Sequence, residues 1–194
     1  MFRAFANRTI VEVEKRLKDK VVVGGFELQL DNVFRQYWNT VQIAKVVATN
    51  HEELESGDIV YVHHFVSNDE HKLPVDGNYS WLENHQIYCK VKDGIVKALG
   101  DFVLVEPITY GDEGVKESES GLILTSKSAN EHLERIGIVR HVGKNGKEHG
   151  LKPGDKVLFG KDCEYEMLVE NKLYYRMELR DVITVLEDNV KVKV

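Results

Sequence analysis

Short β-branched runs opened by a glycine–aspartate pair set the strongest limit on what this chain can fold into. They occur at Ser56-Gly57-Asp58-Ile59-Val60-Tyr61-Val62, at Gly100-Asp101-Phe102-Val103-Leu104-Val105 and at Pro153-Gly154-Asp155-Lys156-Val157-Leu158-Phe159. Runs of this length with period-two alternation, punctuated by Gly-Asp, Asn-Gly and Pro-Gly, are the strands and tight turns of a small antiparallel barrel. The glycine supplies a positive-φ turn, and the aspartate is expected to accept a hydrogen bond from its own backbone two residues on. These pairs therefore read as turn chemistry, not as catalytic carboxylates, and the fold class is all-β.

The runs recur in order, as if a module were used twice. Lys18-Asp19-Lys20-Val21-Val22-Val23 is set against residues 100–105, residues 41–48 against 136–142, and residues 56–62 against 153–159. Residues 83–91 are set against 170–177, and residues 93–99 against 181–186. The expected architecture is two tandem barrels, residues 1–98 and 99–194. An inserted loop at 66–81 is marked by Asn68-Asp69, Pro74 and Asp76-Gly77-Asn78-Tyr79; within it Trp81 caps the barrel or, with Tyr79, meets another protein or a neighbouring subunit. Ile10, Val13 and Leu17 have helical spacing, but Thr9-Ile10-Val11-Glu12-Val13 alternates, which favours an extended arm or strand. One helical turn is expected at 128–133, and a tight turn at Asn145-Gly146.

Composition closes off other classes. The chain has 194 residues, 42% hydrophobic and 30% charged, which suits a soluble protein with a real core. A net charge of −6 without a Lys/Arg cluster argues against a general nucleic-acid binder. The N-terminus lacks an apolar secretion segment, so a cytoplasmic location is expected. Cys89 and Cys163 have no CxxC or His-paired spacing and read as core or rim residues. His63 and His64 would point to opposite faces of a strand, so no metal site is expected. No nucleophile elbow, P-loop or Rossmann fingerprint is present, which points away from an enzyme and from any cofactor.

One stretch does not fit the barrel pattern. Gly121-Leu122-Ile123-Leu124-Thr125 sits inside a polar Gly/Ser/Glu-rich segment, residues 109–133. Three adjacent aliphatics are too few to nucleate a core and too apolar for an idle loop, so they read either as a short strand or as an anchor that buries itself in a partner. The segment lacks a period, and residues 111–129 are expected to be poorly ordered in the free protein. In the first module Gly24-Gly25-Phe26-Glu27-Leu28 is a weaker echo: Glu27 interrupts it and the polar lead is missing. Phe26 and Leu28 are expected to be strand residues whose substitution affects stability more than binding; Gly25, Phe26 and Leu28 stand as the alternative second anchor.

The order of motifs in the second half closely resembles the GroES-type co-chaperonin family. Gly100-Asp101-Phe102-Val103-Leu104-Val105-Glu106-Pro107 matches its first strand, and Gly121-Leu122-Ile123-Leu124 its loop tripeptide. Ile136-Gly137-Ile138-Val139-Arg140-His141-Val142-Gly143, residues 151–160 and residues 181–186 match the strands that follow. The resemblance implies a tandem GroES-like form with a divergent first module, a mobile loop at 109–133, and binding to a GroEL-type chaperonin through Gly121, Leu122, Ile123, Leu124 and Thr125. It also implies unfolded client proteins and a homo-oligomer, expected as a heptamer with seven second modules facing the chaperonin. A structural or assembly protein that uses such barrels without a chaperonin is the alternative.

Overall fold

The computed structural model describes residues 2–13, 20–29, 42–67, 69–110 and 131–187, and divides the chain into two compact units, Met1–Leu99 and Gly100–Val194. Each unit carries a six-stranded antiparallel sheet. Module one comprises β1 (Arg8–Glu12), β2 (Lys20–Val23), β3 (Phe26–Gln29), β4 (Ile43–Thr49), β5 (Ile59–Val62), β6 (Tyr79–Glu83), β7 (Ile87–Lys92) and β8 (Ile95–Ala98). Module two comprises β9 (Phe102–Thr109), β10 (His132–Val142), β11 (Lys156–Phe159), β12 (Tyr165–Val169), β13 (Lys172–Glu178) and β14 (Val182–Leu186). The orders are β6-β1-β4-β5-β7-β8 and β12-β13-β9-β10-β11-β14, with β2 and β3 forming a separate two-stranded sheet.

Hydrogen-bond register shows one plan used twice. The Val46 amide donates to Asp58 O and the Gly57 amide to Val46 O, as Val139 donates to Asp155 and Gly154 to Val139. The Asn84 amide donates to Asn7 O as Leu179 does to Asp101, and His63 to Gln86 O as Gly160 does to Asp181. A bulge falls between Ile10 and Val11 on the β1–β4 ladder, and another between Val139 and His141 on the β9–β10 ladder. These bonds make β1 equivalent to β9, β4 to β10, β5 to β11, β6 to β13 and β7 to β14.

This register revises parts of the sequence alignment. The strand that opens module one is Arg8–Glu12, not residues 18–23, because it pairs with β4 and β6 as β9 pairs with β10 and β13. Residues 83–91 align not with 170–177 but with 178–186: Glu83 precedes the 3-10 turn Asn84–Gln86 as Glu178 precedes Leu179–Asp181. In both, the strand-end amide donates to the side chain three residues on, Glu83 to Gln86 at 2.9 Å and Glu178 to Asp181 at 2.9 Å. The Asp93-Gly94 turn leads instead into β8, which covers the β7 edge. Tyr79 and Trp81 belong to strand β6, so the insertion ends before them. Trp81 lies under the Arg8 guanidinium at 4.7 Å and donates its indole N–H to Glu70 O.

The turn aspartates also differ from expectation. Gly57 and Gly154 adopt φ values of 98° and 99°, but Asp58 and Asp155 accept from amides three residues back, Glu55 at 3.0 Å and Lys152 at 2.8 Å. Asn145-Gly146 is no hairpin turn; it lies in a one-turn helix, α1 (Lys144–Glu148), with Gly146 buried. Leu133 is a β10 residue, not the end of a helical turn. His63 and His64 follow the end of β5 and stack at 4.1 Å, where a continued strand would have separated them. Cys89 is buried, which pushes its thiol up to about 12 and leaves it inert.

Both cores are built from inward-facing positions of equivalent strands. Module one buries Val11, Val46, Leu54, Val60, Val62 and Leu82, and module two places Val105, Val139, Leu151, Val157, Phe159 and Met177 at the matching positions. Each such side chain contributes about 1.5–3 kcal/mol relative to exposure.

Candidate functional site

In module two the chain leaves the sheet after β9 and re-enters at β10, and this neck is firmly built. The Tyr110 amide donates to Glu131 O at 2.9 Å, and Thr109 stands opposite His132 in the ladder. Beneath it Ile108, Tyr110, Leu133 and Ile136 form an apolar cluster separate from the main core, with Ile138, Leu158 and Leu186 against it. The Tyr175 hydroxyl lies 3.0 Å from His132 Nδ1, and Arg135 Nε donates to Phe159 O at 3.0 Å.

Below the neck the strands approach closely. A Cβ on Gly137 would sit 2.4 Å from Val105 Cγ1 and 2.7 Å from Glu106 O, so only glycine fits. On the other side Glu106 is gripped by Arg140 and by Lys172, the latter at 3.0 Å. Burial alone would raise its pKa, but these two cations outweigh that and hold the carboxyl below its usual range. The neck is thus a firmly bonded frame at the two ends of the 111–130 connection. Gly121, Leu122, Ile123, Leu124 and Thr125 fall in that span, outside the described residues.

Module one has the same exit, between β1 and β4. The Val13 amide donates to Asn78 O at 2.9 Å, and Gln42 O accepts from the Val62 amide at 2.8 Å. Between these points stands the β2–β3 hairpin, joined by Gly24 and Gly25 at φ 59° and 85°. Positive φ at both central residues is the type I′ geometry that matches strand twist. Gly25, Phe26 and Leu28 therefore occupy the connection equivalent to the one that carries 121–125. Sequence reasoning set this segment against 121–125 but started module one at the wrong strand, residues 18–23 instead of β1. The missed signal was Ala6-Asn7 before β1, which stands for Gly100-Asp101 before β9, with φ 53° at Ala6 and 52° at Gly100.

A family model described as Chaperonin 10 Kd subunit matches residues 95–186. Co-chaperonin GroES of Petrotoga mobilis is 36% identical over 93 residues, covering 48% of this chain and 98% of that protein. Co-chaperonin GroES of Fusobacterium nucleatum subsp. polymorphum is 33% identical over 92 residues (47% and 98%), and that of Helicobacter hepaticus 36% over 92 residues (47% and 96%). The chain belongs to the chaperonin-10 family of GroES-type co-chaperonins. Its fold is all-β, two modules on the GroES-like β-barrel plan. The family match begins at β8, the strand that in this chain pairs with β7. Among the described residues no group of His, Cys, Asp and Glu has the arrangement of a metal site, and no helix is long and apolar enough to cross a membrane.

Proposed function

We propose that this protein caps a GroEL-type chaperonin ring through Gly121-Leu122-Ile123-Leu124-Thr125 and assists ATP-dependent folding of client proteins, as a cytoplasmic binding protein and not an enzyme. The observation that carries this reading is the span of the family match, residues 95–186, which takes in the neck and the whole of 111–130 together. Burying Leu122, Ile123 and Leu124 contributes about 1.5–3 kcal/mol each. Ordering the segment costs on the order of 1 kcal/mol per residue, so a single copy binds weakly and reversibly. Repetition in an oligomer converts weak contacts into firm seating through effective concentration.

The assembly we propose is a homo-oligomer, with a heptamer giving one anchor per chaperonin subunit. The β14 edge of module two, as the described residues leave it, supports it. Among the described residues β14 pairs only with β11 and leaves Ile183 and Val185 exposed, whereas the equivalent β7 is covered by β8. An uncovered edge is a surface for another strand.

The test is a pull-down of the full chain with a GroEL-type ring and adenine nucleotide, alongside native mass spectrometry. Wild type is expected to bind and Ile123→Asp to lose binding with its fold intact, because an unpaired carboxylate in an apolar groove costs several kcal/mol. Absence of ring binding by wild type would favour the assembly-protein alternative; a stable monomer in the presence of the ring would sink the oligomer.

A further inference from the structure

Among the described residues, the hairpin of module one has an apolar face with no strand or core against it. Val23, Phe26 and Leu28 are 57%, 76% and 51% exposed, a concentration of large apolar surface within six residues. Val23 and Phe26 are a cross-strand pair, and Leu28 follows Phe26 by two, so the three share one face of the hairpin. The hairpin is a two-stranded sheet of its own among the described residues. Such a unit is marginal in water and gains stability when a partner covers its apolar face.

Its place in the fold says which partner. The hairpin interrupts the β1–β4 connection, and residues 111–130 interrupt the β9–β10 connection. The flanking strands share register to the residue: Val11 faces Val46 and Val105 faces Val139, with a bulge beside each. We infer that the β2–β3 hairpin is a second docking element for the chaperonin rim, presenting Val23, Phe26 and Leu28 to the kind of apolar groove that takes Leu122-Ile123-Leu124. This rests on the function proposed above and adds to it a contact from the divergent module. Three side chains on one narrow face suit a groove of fixed shape better than an extended non-native client. The glycine turn and ladder preset the hairpin, so binding it costs little ordering of its chain. One chain then carries two unlike anchors, each raising the effective concentration of the other.

Equilibrium binding of the full chain to a GroEL-type ring with nucleotide tests this, using wild type, Phe26→Asp, Ile123→Asp and the double variant. The inference expects Phe26→Asp to weaken binding at least about tenfold and the double variant to bind less than either single one. Unchanged far-UV circular dichroism and tryptophan fluorescence would show the fold intact; should Phe26→Asp misfold, Leu28→Ser takes its place. Hydrogen exchange on wild type gives an independent readout, with amides of residues 20–29 gaining protection on the ring. Wild-type affinity in Phe26→Asp, or no added protection at 20–29, overturns the inference while Ile123→Asp still reports on the proposed function. If wild type itself does not bind, both fall.

Discussion

At the foot of the first strand, Thr9 faces Thr49 in module one, and Val103 faces Val142 in module two. The Thr9 hydroxyl is fully buried, lies 2.7 Å from Thr49 Oγ1 and donates to Asn84 Oδ1 at 3.0 Å. The residue equivalent to Asn84 is Leu179, which packs on the apolar core beside Val103 and Val142. One backbone geometry is therefore closed by a polar triad in one module and an apolar triad in the other. Both solutions are complete, and each is intolerant of a single part from the other, because a buried polar group is expensive only when its partners are removed. Divergence between the modules has proceeded by sets of touching residues.

The largest expected effect comes from the close approach below the neck. Gly137 is equivalent to Ala44, which is buried without conflict. Gly137→Ala forces Val105 and the Glu106 carbonyl apart and is expected to cost about 3 kcal/mol, whereas Ala44→Gly costs about 1 kcal/mol. Hydrogen exchange of β9 and β10 amides measures the first. Equal, small effects at both sites would mean that the two ladders are equally spaced and would break the comparison.

Lys90 and Val185 are a second unlike pair. Lys90 Nζ sits 2.8 Å from the buried Asp58 carboxylate, whereas the position beside the equivalent Asp155 holds the apolar Val185. Burial pushes the Asp58 pKa up, but the Lys90 and Glu55 hydrogen bonds outweigh it and the net direction is down. A carboxyl whose folded pKa is depressed adds stability above its unfolded value of about 4, and that contribution disappears as pH falls through the folded value. Lys90→Val is thus expected to lose about 2 kcal/mol at neutral pH and to converge with wild type on acidification below about pH 4. Both tryptophans, Trp38 and Trp81, lie in module one, so fluorescence during denaturant titration follows that module. A gap between the two proteins that stays constant down to pH 3 would remove the ion pair as its cause.

The smallest expected effect sharpens the comparison most. Thr9→Val strands Asn84 Oδ1 without its donor and is expected to cost about 1–2 kcal/mol. Thr9→Val with Thr49→Val and Asn84→Leu installs the module-two set and is expected to recover most of that loss in the same fluorescence titration. A triple variant less stable than the single one would show that the surrounding packing, and not the triad alone, has diverged.

Much of the fold was legible because its cues are local. Glycine before aspartate marks a positive-φ turn, and alternating β-branched runs mark strands, so the all-β class and the β4/β10 and β5/β11 equivalences could be read directly, while residues 9–12 were read only as an extended arm or strand. The family of the second half was legible for the same reason, through several short motifs in order. That the β2–β3 segment pairs only with itself among the described residues was not legible, nor was the place of Tyr79 and Trp81 in strand β6. Val21-Val22-Val23 has as strong a strand signature as Thr9-Ile10-Val11, and nothing local tells a barrel strand from a hairpin arm.

What the sequence determined by itself, then, is the set of strands and turns and the kinship of residues 95–186. What only the tertiary structure decided is which run opens module one, that β2 and β3 form a separate hairpin, and that Thr9, Thr49 and Asn84 meet at all. The physical reason is that strand propensity belongs to a few neighbouring residues, whereas pairing is a choice among ladders whose partners lie far apart in the chain. Thr9 finds Thr49 and Asn84 only after β1 has taken its place between β4 and β6.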